Sequence, residues 1–354
     1  MNRPNPARPD IQLMSGYTPG EQPDASRPII KLNTNENPFP PPKAVLEAIV
    51  AAATESLRLY PEPSSRPIRE AAARAYNLKP EQIIAGNGSD DILTMILRTF
   101  VSSGQIVTAP CPTYSLYETL TKIQGGIFQQ TPWPDDLSLP IAALLKTKAQ
   151  VIFIVRPNAP TGHMVALADI SELCRKTSGV VVLDEAYVDF ADDNGLALLK
   201  EHDNLIITRT MSKSLALAGL RVGLGFTTPA LANEMHKVRD SYNINRLAQA
   251  GAVAALNNLA AFRPGIAAIR SQRLRLSQEL GKKGFTVQES QANFVLATVP
   301  NNGLTGEEWL NALREKGFLI RFFGSDPSLQ DKIRITIGTK DEMDGFLNAV
   351  DELL

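Results

Sequence analysis

Residues 208–223, TRTMSKSLALAGLRVG, set one lysine, Lys213, among hydroxyls and small apolar residues, with Arg221 eight positions further on. Read alone, the segment suits a snorkelling lysine, whose methylenes follow apolar surface while the amine reaches water. Its surroundings give it another meaning, because it closes a series of short apolar runs. These are QIIAG (82–86), QIVTAP (105–110), QVIFIV (150–155), VVVLD (180–184), NLIITR (204–209) and RVGLGF (221–226), most of them separated by helical stretches. Continuous apolar runs alternating with helices predict strands buried on both faces of a mainly parallel sheet in an α/β protein.

Outward from this centre the composition changes on both sides. The chain opens on a polar, proline-rich arm, residues 1–42, that is too rich in Pro to build helix or core by itself. A helix is expected over KAVLEAIVAAATESL (43–57), and the prolines of RLYPEPSSRP (58–67) mark a turn. Residues 229–283 read as mostly helical, with the amphipathic stretch AAIRSQRLRLSQELGKKG ending at Gly281 and Gly284. The remainder, FTVQESQANFVLATV, EEWLNALREKG, FLIRFF, KIRITIG and a closing helix with Thr339 and Glu342 as a capping box, reads as a small α+β unit. The expected division is an arm (1–42), a large domain (43–262) and a small C-terminal domain (263–354), with no internal repeat.

Composition narrows the function classes. At 354 residues the chain can bury a large core without staples, and its two cysteines, Cys111 and Cys174, form no C-x-x-C pair, which suits a reducing, cytoplasmic setting. A formal charge of -1 supplies no basic field for nucleic acid or an anionic membrane, and no stretch reaches the ~20 apolar residues of a membrane span. His163, His202 and His236 are scattered without ligand spacing, so no metal site is expected. GNGSDD matches neither the dinucleotide fingerprint nor the P-loop.

Ligands of open α/β sheets bind beyond the carboxyl ends of the strands, so the residues just past each run share one neighbourhood. QIIAG leads into NGSDDIL, a Gly-rich turn entering a helix whose free N–H groups and dipole favour a phosphate, although a plain turn with Ser89 as N-cap fits equally. QIVTAP leads to Tyr114, an aromatic plate or a packed tyrosine; QVIFIV leads to Asn158, an amide donor or a turn residue. VVVL ends on Asp184, an acid with no charge partner nearby in sequence, and NLIIT leads to Thr210, Ser212 and Lys213. A flat heteroaromatic ring with a phosphate, a basic ring nitrogen, a phenolic oxygen and an aldehyde would use them all. Pyridoxal 5'-phosphate is such a ligand: Lys213 condenses with the aldehyde, Asp184 pairs with the ring nitrogen, and Tyr187 and Asn158 approach the phenolic oxygen. The hydroxyls, Arg221 and the helix start hold the phosphate. A lysine in that role must shed its proton, which apolar surroundings and a neighbouring cation promote.

GNGSD, PTY, PNAPTG, DEAY and TMSK, in this order and with Arg221 eight residues after Lys213, resemble the aspartate aminotransferase superfamily, fold type I of the pyridoxal-phosphate enzymes. More narrowly, GYTPGEQ, KLNTNENPFPPP, RLYPEP, GNGSDDIL, PTYSLYE, SKSLALAGLR and IRITIGT resemble the histidinol-phosphate aminotransferase family, from about residue 16 to the C-terminus. The resemblance implies a three-layer α/β fold and a homodimer with shared sites. In that fold Gly88, Ser89, Asp90, Thr210, Ser212 and Arg221 surround the cofactor phosphate, Tyr114 lies against the ring, and Tyr60 reaches the phosphate of the neighbouring subunit. It also implies that Arg334, helped by Arg321, holds the substrate's anionic group, with Tyr17 and Asn35 on the substrate side. The chain departs from the family pattern at Ala159, where many relatives carry asparagine before PTG; Asn158 is expected to take over its contact.

The implied reaction is ping-pong transfer of the amino group of histidinol phosphate to 2-oxoglutarate, giving imidazole-acetol phosphate and glutamate, a step of histidine biosynthesis. An aromatic amino acid aminotransferase or a threonine-phosphate decarboxylase on the same scaffold is the nearest alternative. A cofactor-bound regulator without catalysis is the alternative from another class.

Overall fold

The computed structural model describes residues 5–23 and 29–354, so Met1–Pro4 and residues 24–28 of the expected arm lie outside the described residues. The six apolar runs become β1 (Ile83–Gly86), β2 (Ile106–Cys111), β4 (Val151–Val155), β5 (Val180–Asp184), β6 (Leu205–Thr210) and β7 (Gly223–Phe226). A further strand, β3 (Ile127–Pro132), completes a seven-stranded sheet of order β1-β7-β6-β5-β4-β2-β3. All its pairings are parallel except those of β7, which runs antiparallel to both β1 and β6.

The sequence reading missed β3, and its position at the sheet edge is the reason. Its residues are exposed or half-buried except Thr131, so it carries Gln129 and Gln130 where an inner strand would carry Val or Ile. By contrast every residue of β4 and β5 is buried, because helices cover both faces. The two faces correspond to two hydrophobic clusters. Ile152, Ile154, Val181, Leu183 and Leu205 point to one, and Val151, Phe153, Val155, Val182 and Ile206 to the other. Each fully buried side chain of this kind contributes roughly 1.5–3 kcal/mol.

The helix expected over 43–57 is shorter. α1 (Lys43–Ala52) stops before Thr54, whose hydroxyl accepts from the Ser56 N–H and starts a separate 3-10 turn, Glu55–Arg58. A threonine side chain that satisfies the backbone locally competes with continuation of the helix. The arm is also not wholly extended, since Pro9–Leu13 forms a short helix. α2 (Arg66–Tyr76) and α3 (Ser89–Phe100) follow, and α4 (Arg246–Asn257) packs on α1 and α2.

The chain bends by 83° between α4 and the stretch from Leu259 through α5 (Arg263–Lys282). Beyond it β8 (Thr286–Val287), β9 (Phe294–Thr298), β10 (Arg321–Phe322) and β11 (Lys332–Thr336) form an antiparallel sheet of order β10-β11-β9-β8. α6 (Lys340–Asp351) closes the chain, and its Thr339–Glu342 capping box is formed as the sequence predicts. α5 runs to Lys282 through Gly281, and it is Gly284, at φ +88°, that follows its end. The small sheet shares the Phe153–Val182 cluster with the large one, so the two units are packed on common apolar contacts. Two residues of the arm, Ile30–Lys31, pair in parallel with Phe318–Leu319 and stitch the arm to the small unit. Among the described residues no single helix is long and apolar enough to cross a membrane.

Candidate active site

The chain leaves β2 for β3 on one side and returns to β4 on the other, so the sheet reverses direction between β2 and β4. Only Val107–Val151 and Thr108–Ile152 pair between them, although β2 runs on to Cys111 and β4 to Val155. The strands therefore part near their carboxyl ends, which opens a crevice at a topological switch point. A cleft lies there, walled by the ends of β4, β5 and β6, the start of α3, the arm and the small sheet.

Most residues singled out in the sequence meet in this cleft. Lys213, Asp184, Tyr187, Tyr114, Ser89 and Asp90 line it, with Thr210, Ser212 and Arg221 at the end beside α3 and Arg334, Arg321, Tyr17 and Asn35 on the opposite wall. Gly88, Asn158 and Tyr60 are not among its lining residues, although Gly88 borders it behind Arg221.

At the floor, Asp184 ends β5 and is 3% exposed. The Tyr117 hydroxyl donates to its Oδ2 at 2.6 Å and the Ala186 N–H to its Oδ1 at 3.2 Å. Burial nevertheless pushes its carboxyl up to about 6, because those two bonds do not replace full hydration. No cation pairs with it in the chain among the described residues, so a protonated ring nitrogen is the kind of partner it lacks. Tyr117 did not emerge from the sequence. It stacks on Phe153 with ring centroids 4.3 Å apart and follows Tyr114 by three positions, in the first turn of the helix Leu116–Gln124; that second tyrosine of PTYSLYE is the signal that could have identified it.

Lys213 sits in the loop after β6, where its Nζ donates to the Thr34 carbonyl at 2.8 Å. Burial, and then the charge of Arg334, push its amine down to about 8. The Asn37 amide donates to the Lys213 and Ser214 carbonyls at 3.0 and 3.2 Å and so fixes the backbone that carries the amine. The Lys213 Nζ lies 5.9 Å from the centre of the Tyr187 ring. Tyr187 is buried, its oxygen accepts from the Asn35 amide at 3.0 Å, and burial raises its phenol.

The end of the cleft beside α3 is built from polar groups. α3 begins at Ser89 with Gly88, at φ +88°, as its N-cap and no side-chain cap, so Ser89 is not the capping residue. A side chain at position 88 would meet the Arg221 guanidinium at 2.6 Å, and one at position 223 would collide with the Ser89 nitrogen. Glycine at both places lets backbone approach what the cradle holds. Arg221 contacts Asp90 Oδ2 at 3.2 Å and the Ser212 hydroxyl at 3.4 Å, and Thr210 bonds Ser212 at 3.0 Å. Free helix N–H groups, an arginine fork and two hydroxyls together fit a dianion. Tyr114 stands beside them, half-buried, its hydroxyl 3.4 Å from Asp90 Oδ1.

On the opposite wall Arg321 and Arg334 are direct partners across β10 and β11. Like charges in that position repel, and burial together with Arg321 pushes the Arg334 guanidinium down to about 10. Its Nε is buried without an acceptor, while Nη2 donates to the Asn33 carbonyl at 2.8 Å. Two converging arginines with an unmet donor fit a second anion. Tyr17 approaches edge-on to Tyr114, centroids 6.1 Å apart, and narrows the mouth.

The structure places the two remaining residues elsewhere. Asn158 is buried, but its amide donates to the Thr161 hydroxyl at 2.8 Å and the Pro112 carbonyl at 3.3 Å, and Ala159 and Pro160 take its place on the cleft wall. The turn turns that side chain away from the cleft. Tyr60 is 77% exposed and stacks on Tyr242, centroids 4.5 Å apart. Arg156, next to the same turn, is buried and ties the loop after β5 to β4 through Asp193 at 2.5 Å and the Val165 carbonyl. Burial pushes His163 and His236 down to about 4, and no group of three or more metal-ligating side chains occurs among the described residues.

Residues 27–350 match the family described as aminotransferase class I and II. The chain is 44% identical to the histidinol-phosphate aminotransferase of Microcystis aeruginosa over 349 residues, covering 99% of each protein. It is 45% identical to the enzyme of the same name from Synechocystis sp., covering 98% of this chain and 97% of that one. Among solved structures it is similar to the histidinol-phosphate aminotransferase of Sinorhizobium meliloti in complex with pyridoxal 5'-phosphate, with a TM-score of 0.87 and 26% identity over 99% of this chain and 98% of that one. Taken with an amine, a buried carboxylate and two anion cradles around one crevice, these likenesses establish that the chain belongs to the aminotransferase class I and II family.

Proposed function

We propose that the protein transfers the amino group of histidinol phosphate to 2-oxoglutarate, with pyridoxal 5'-phosphate as cofactor and two half-reactions in ping-pong order. The observation that carries this reading is the pairing, in one cleft, of an amine held near pKa 8 with a buried carboxylate that lacks a cation. The residues present suit the cofactor: Asp184 would hold its ring nitrogen, Tyr187 its phenolic oxygen, Tyr114 its face, and Gly88, Ser89, Asp90, Thr210, Ser212 and Arg221 its phosphate. When bound, it supplies an electron sink that stabilises the carbanion left by removal of a proton next to nitrogen.

The chain's own residues then do the following. Lys213, unprotonated in an appreciable fraction at neutral pH, accepts the proton from the substrate carbon and returns it, acting as general base and general acid in turn. Asp184, ionised once a cation lies against it, keeps the ring nitrogen protonated and is in place before the proton moves. Arg334 and Arg321 bind the phosphate ester of one substrate and a carboxylate of the other, since a guanidinium fork accepts both. Tyr17 and the arm restrict water at the mouth.

We further infer a homodimer. Leu46, Val50, Leu57, Leu59 and Tyr60, all within or just after α1, are large apolar residues exposed to solvent, and Tyr242 stacks on Tyr60, which supports a partner surface there. Tyr60, turned away from the chain's own cleft, is then available to the partner's cofactor phosphate. We assign residues 1–42, 43–262 and 263–354 to arm, large domain and small domain, and place the enzyme in the cytoplasm, which suits its two free thiols.

The visible spectrum of purified protein tests the reading. A cofactor band that moves to the pyridoxamine form on adding histidinol phosphate, and returns on adding 2-oxoglutarate, is expected. A band that responds to aromatic amino acids but not to histidinol phosphate selects the aromatic aminotransferase, and loss of carbon dioxide from threonine phosphate selects the decarboxylase.

A further inference from the structure

Asn35 reads in the sequence as a substrate-side residue and stands on the cleft wall, where it is 1% exposed and its amide is held at both ends by side chains of the protein. Its amide Nδ2 donates to the Tyr187 oxygen at 3.0 Å. Its Oδ1 accepts from the Thr336 hydroxyl at 3.1 Å, and its backbone N–H donates to that same hydroxyl at 3.0 Å. The Asn293 amide donates to its carbonyl at 3.0 Å. These bonds fix the amide's orientation: Thr336, having accepted the Asn35 N–H, has its own proton to give, so the oxygen end of the amide faces Thr336 and the nitrogen end faces Tyr187. The backbone of Asn35 is left-handed, φ +57°, a conformation asparagine tolerates better than most residues.

A phenol whose oxygen already accepts a hydrogen bond has its own proton free to donate elsewhere, and donates it more strongly. Tyr187 faces the cleft, where the charged groups nearest its ring are Lys213, Arg334 and Asp184. Ala159 stands on the cleft wall and Asn158 turns away, so no asparagine of the 156–162 turn shares the task of meeting the cofactor's phenolic oxygen. The burden falls on Tyr187 alone, and its proton direction decides whether that contact is made.

We propose that Asn35 is a positioning residue that, held by Thr336 and Asn293 of the small sheet, directs the Tyr187 hydroxyl proton onto the phenolic oxygen of the bound cofactor. This rests on the cofactor reading given above. It also joins the two units of the fold, because Thr336 ends β11 and Asn293 precedes β9, whereas Tyr187 follows β5.

The test is the pH titration of the visible band of the cofactor-loaded protein. The band's midpoint reports how well the ionised phenolic oxygen is stabilised. Tyr187→Phe is expected to raise it by roughly one pH unit, the loss of one bond to a charged acceptor. Asn35→Gly keeps the left-handed backbone and removes only the amide. It is expected to raise the midpoint to between the wild-type and Tyr187→Phe values, and to raise it no further in the Tyr187→Phe background. Thr336→Val, which frees the amide to turn over, is expected to move it the same way. Midpoints of Asn35→Gly and Thr336→Val equal to wild type, with only a lower melting temperature, would overturn the proposal in favour of a purely structural Asn35. If Tyr187→Phe itself leaves the midpoint unmoved, Tyr187 does not contact the phenolic oxygen and the proposal falls with it. A wild-type protein with no visible band removes the cofactor reading instead.

Discussion

Replacing Asp184 by asparagine should stabilise the cofactor-free protein while disabling the enzyme. The carboxyl of Asp184 is carried by burial from an ordinary 3.8 to about 6, so its ionisation works against folding. The sign follows from linkage. Between those two values the native state binds more protons than the unfolded chain, so stability falls as pH rises through that window and stays lowered above it. The displacement corresponds to about 3 kcal/mol at pH 7. Tyr117 and Ala186 have already been counted in it, since both bonds favour the charged form. Asp184→Asn keeps the size and an acceptor for Tyr117 but cannot ionise. In thermal or urea melts of cofactor-free protein, mutant and wild type should agree near pH 4 and diverge until about pH 6. The mutant should then remain more stable by up to about 3 kcal/mol at pH 7. The same mutant should bind cofactor more weakly and lose proton abstraction in single turnover. Equal stability of the two proteins across the whole pH range would refute the claim that a buried, unpaired carboxylate waits at this position for a cation.

Other perturbations probe the remaining parts. Tyr117→Phe keeps the ring stacked on Phe153 and removes the 2.6 Å bond to Asp184, so kcat/KM should fall about tenfold with little change in melting temperature. Lys213 is pushed down to about 8, so the rate at which cofactor-free protein captures pyridoxal phosphate should rise with pH and level off above about 8; a midpoint near the ordinary lysine value of 10.5 would contradict the site's electrostatics. Arg334→Lys keeps the charge and loses the fork, and should raise KM for histidinol phosphate at least tenfold in steady-state assays. Tyr60→Ala and Lys213→Ala chains, each inactive alone, should recover about one quarter of wild-type activity after mixing and reassociation, because half the dimers then hold one intact site. No recovery would argue against a site shared between subunits.

How much of this could be read in the sequence depends on whether the signal is local. The inner strands announce themselves because burial on both faces demands unbroken apolar runs, as in Val151–Val155 and Val180–Asp184. Ile127–Pro132 does not, because an edge strand may stay polar. Ser89 and Lys213 follow, and Asp184 ends, strands whose carboxyl ends meet at the cleft, and Arg221 leads into the antiparallel β7, whose amino end lies there, so all four are legible from their places beside apolar runs. Tyr117 is not, since its bond to Asp184 spans 67 positions, and neither is the amide of Asn37 on the Lys213 backbone, which spans 176. Asn35 and Asn158 mark the opposite limit. Both residues stand out in the sequence, but the direction of an amide is set by tertiary neighbours, Thr336 for one and Thr161 for the other, and a one-residue displacement in the PNAPTG turn is enough to carry Asn158 off the cleft wall.

Reductive trapping of the cofactor with borohydride, followed by peptide mass mapping, addresses the covalent anchor on which the whole account depends. The account predicts the mass of one reduced pyridoxyl phosphate on Lys213 and on no other lysine. Modification at a different lysine, or protein that retains cofactor yet yields no modified peptide, would contradict it.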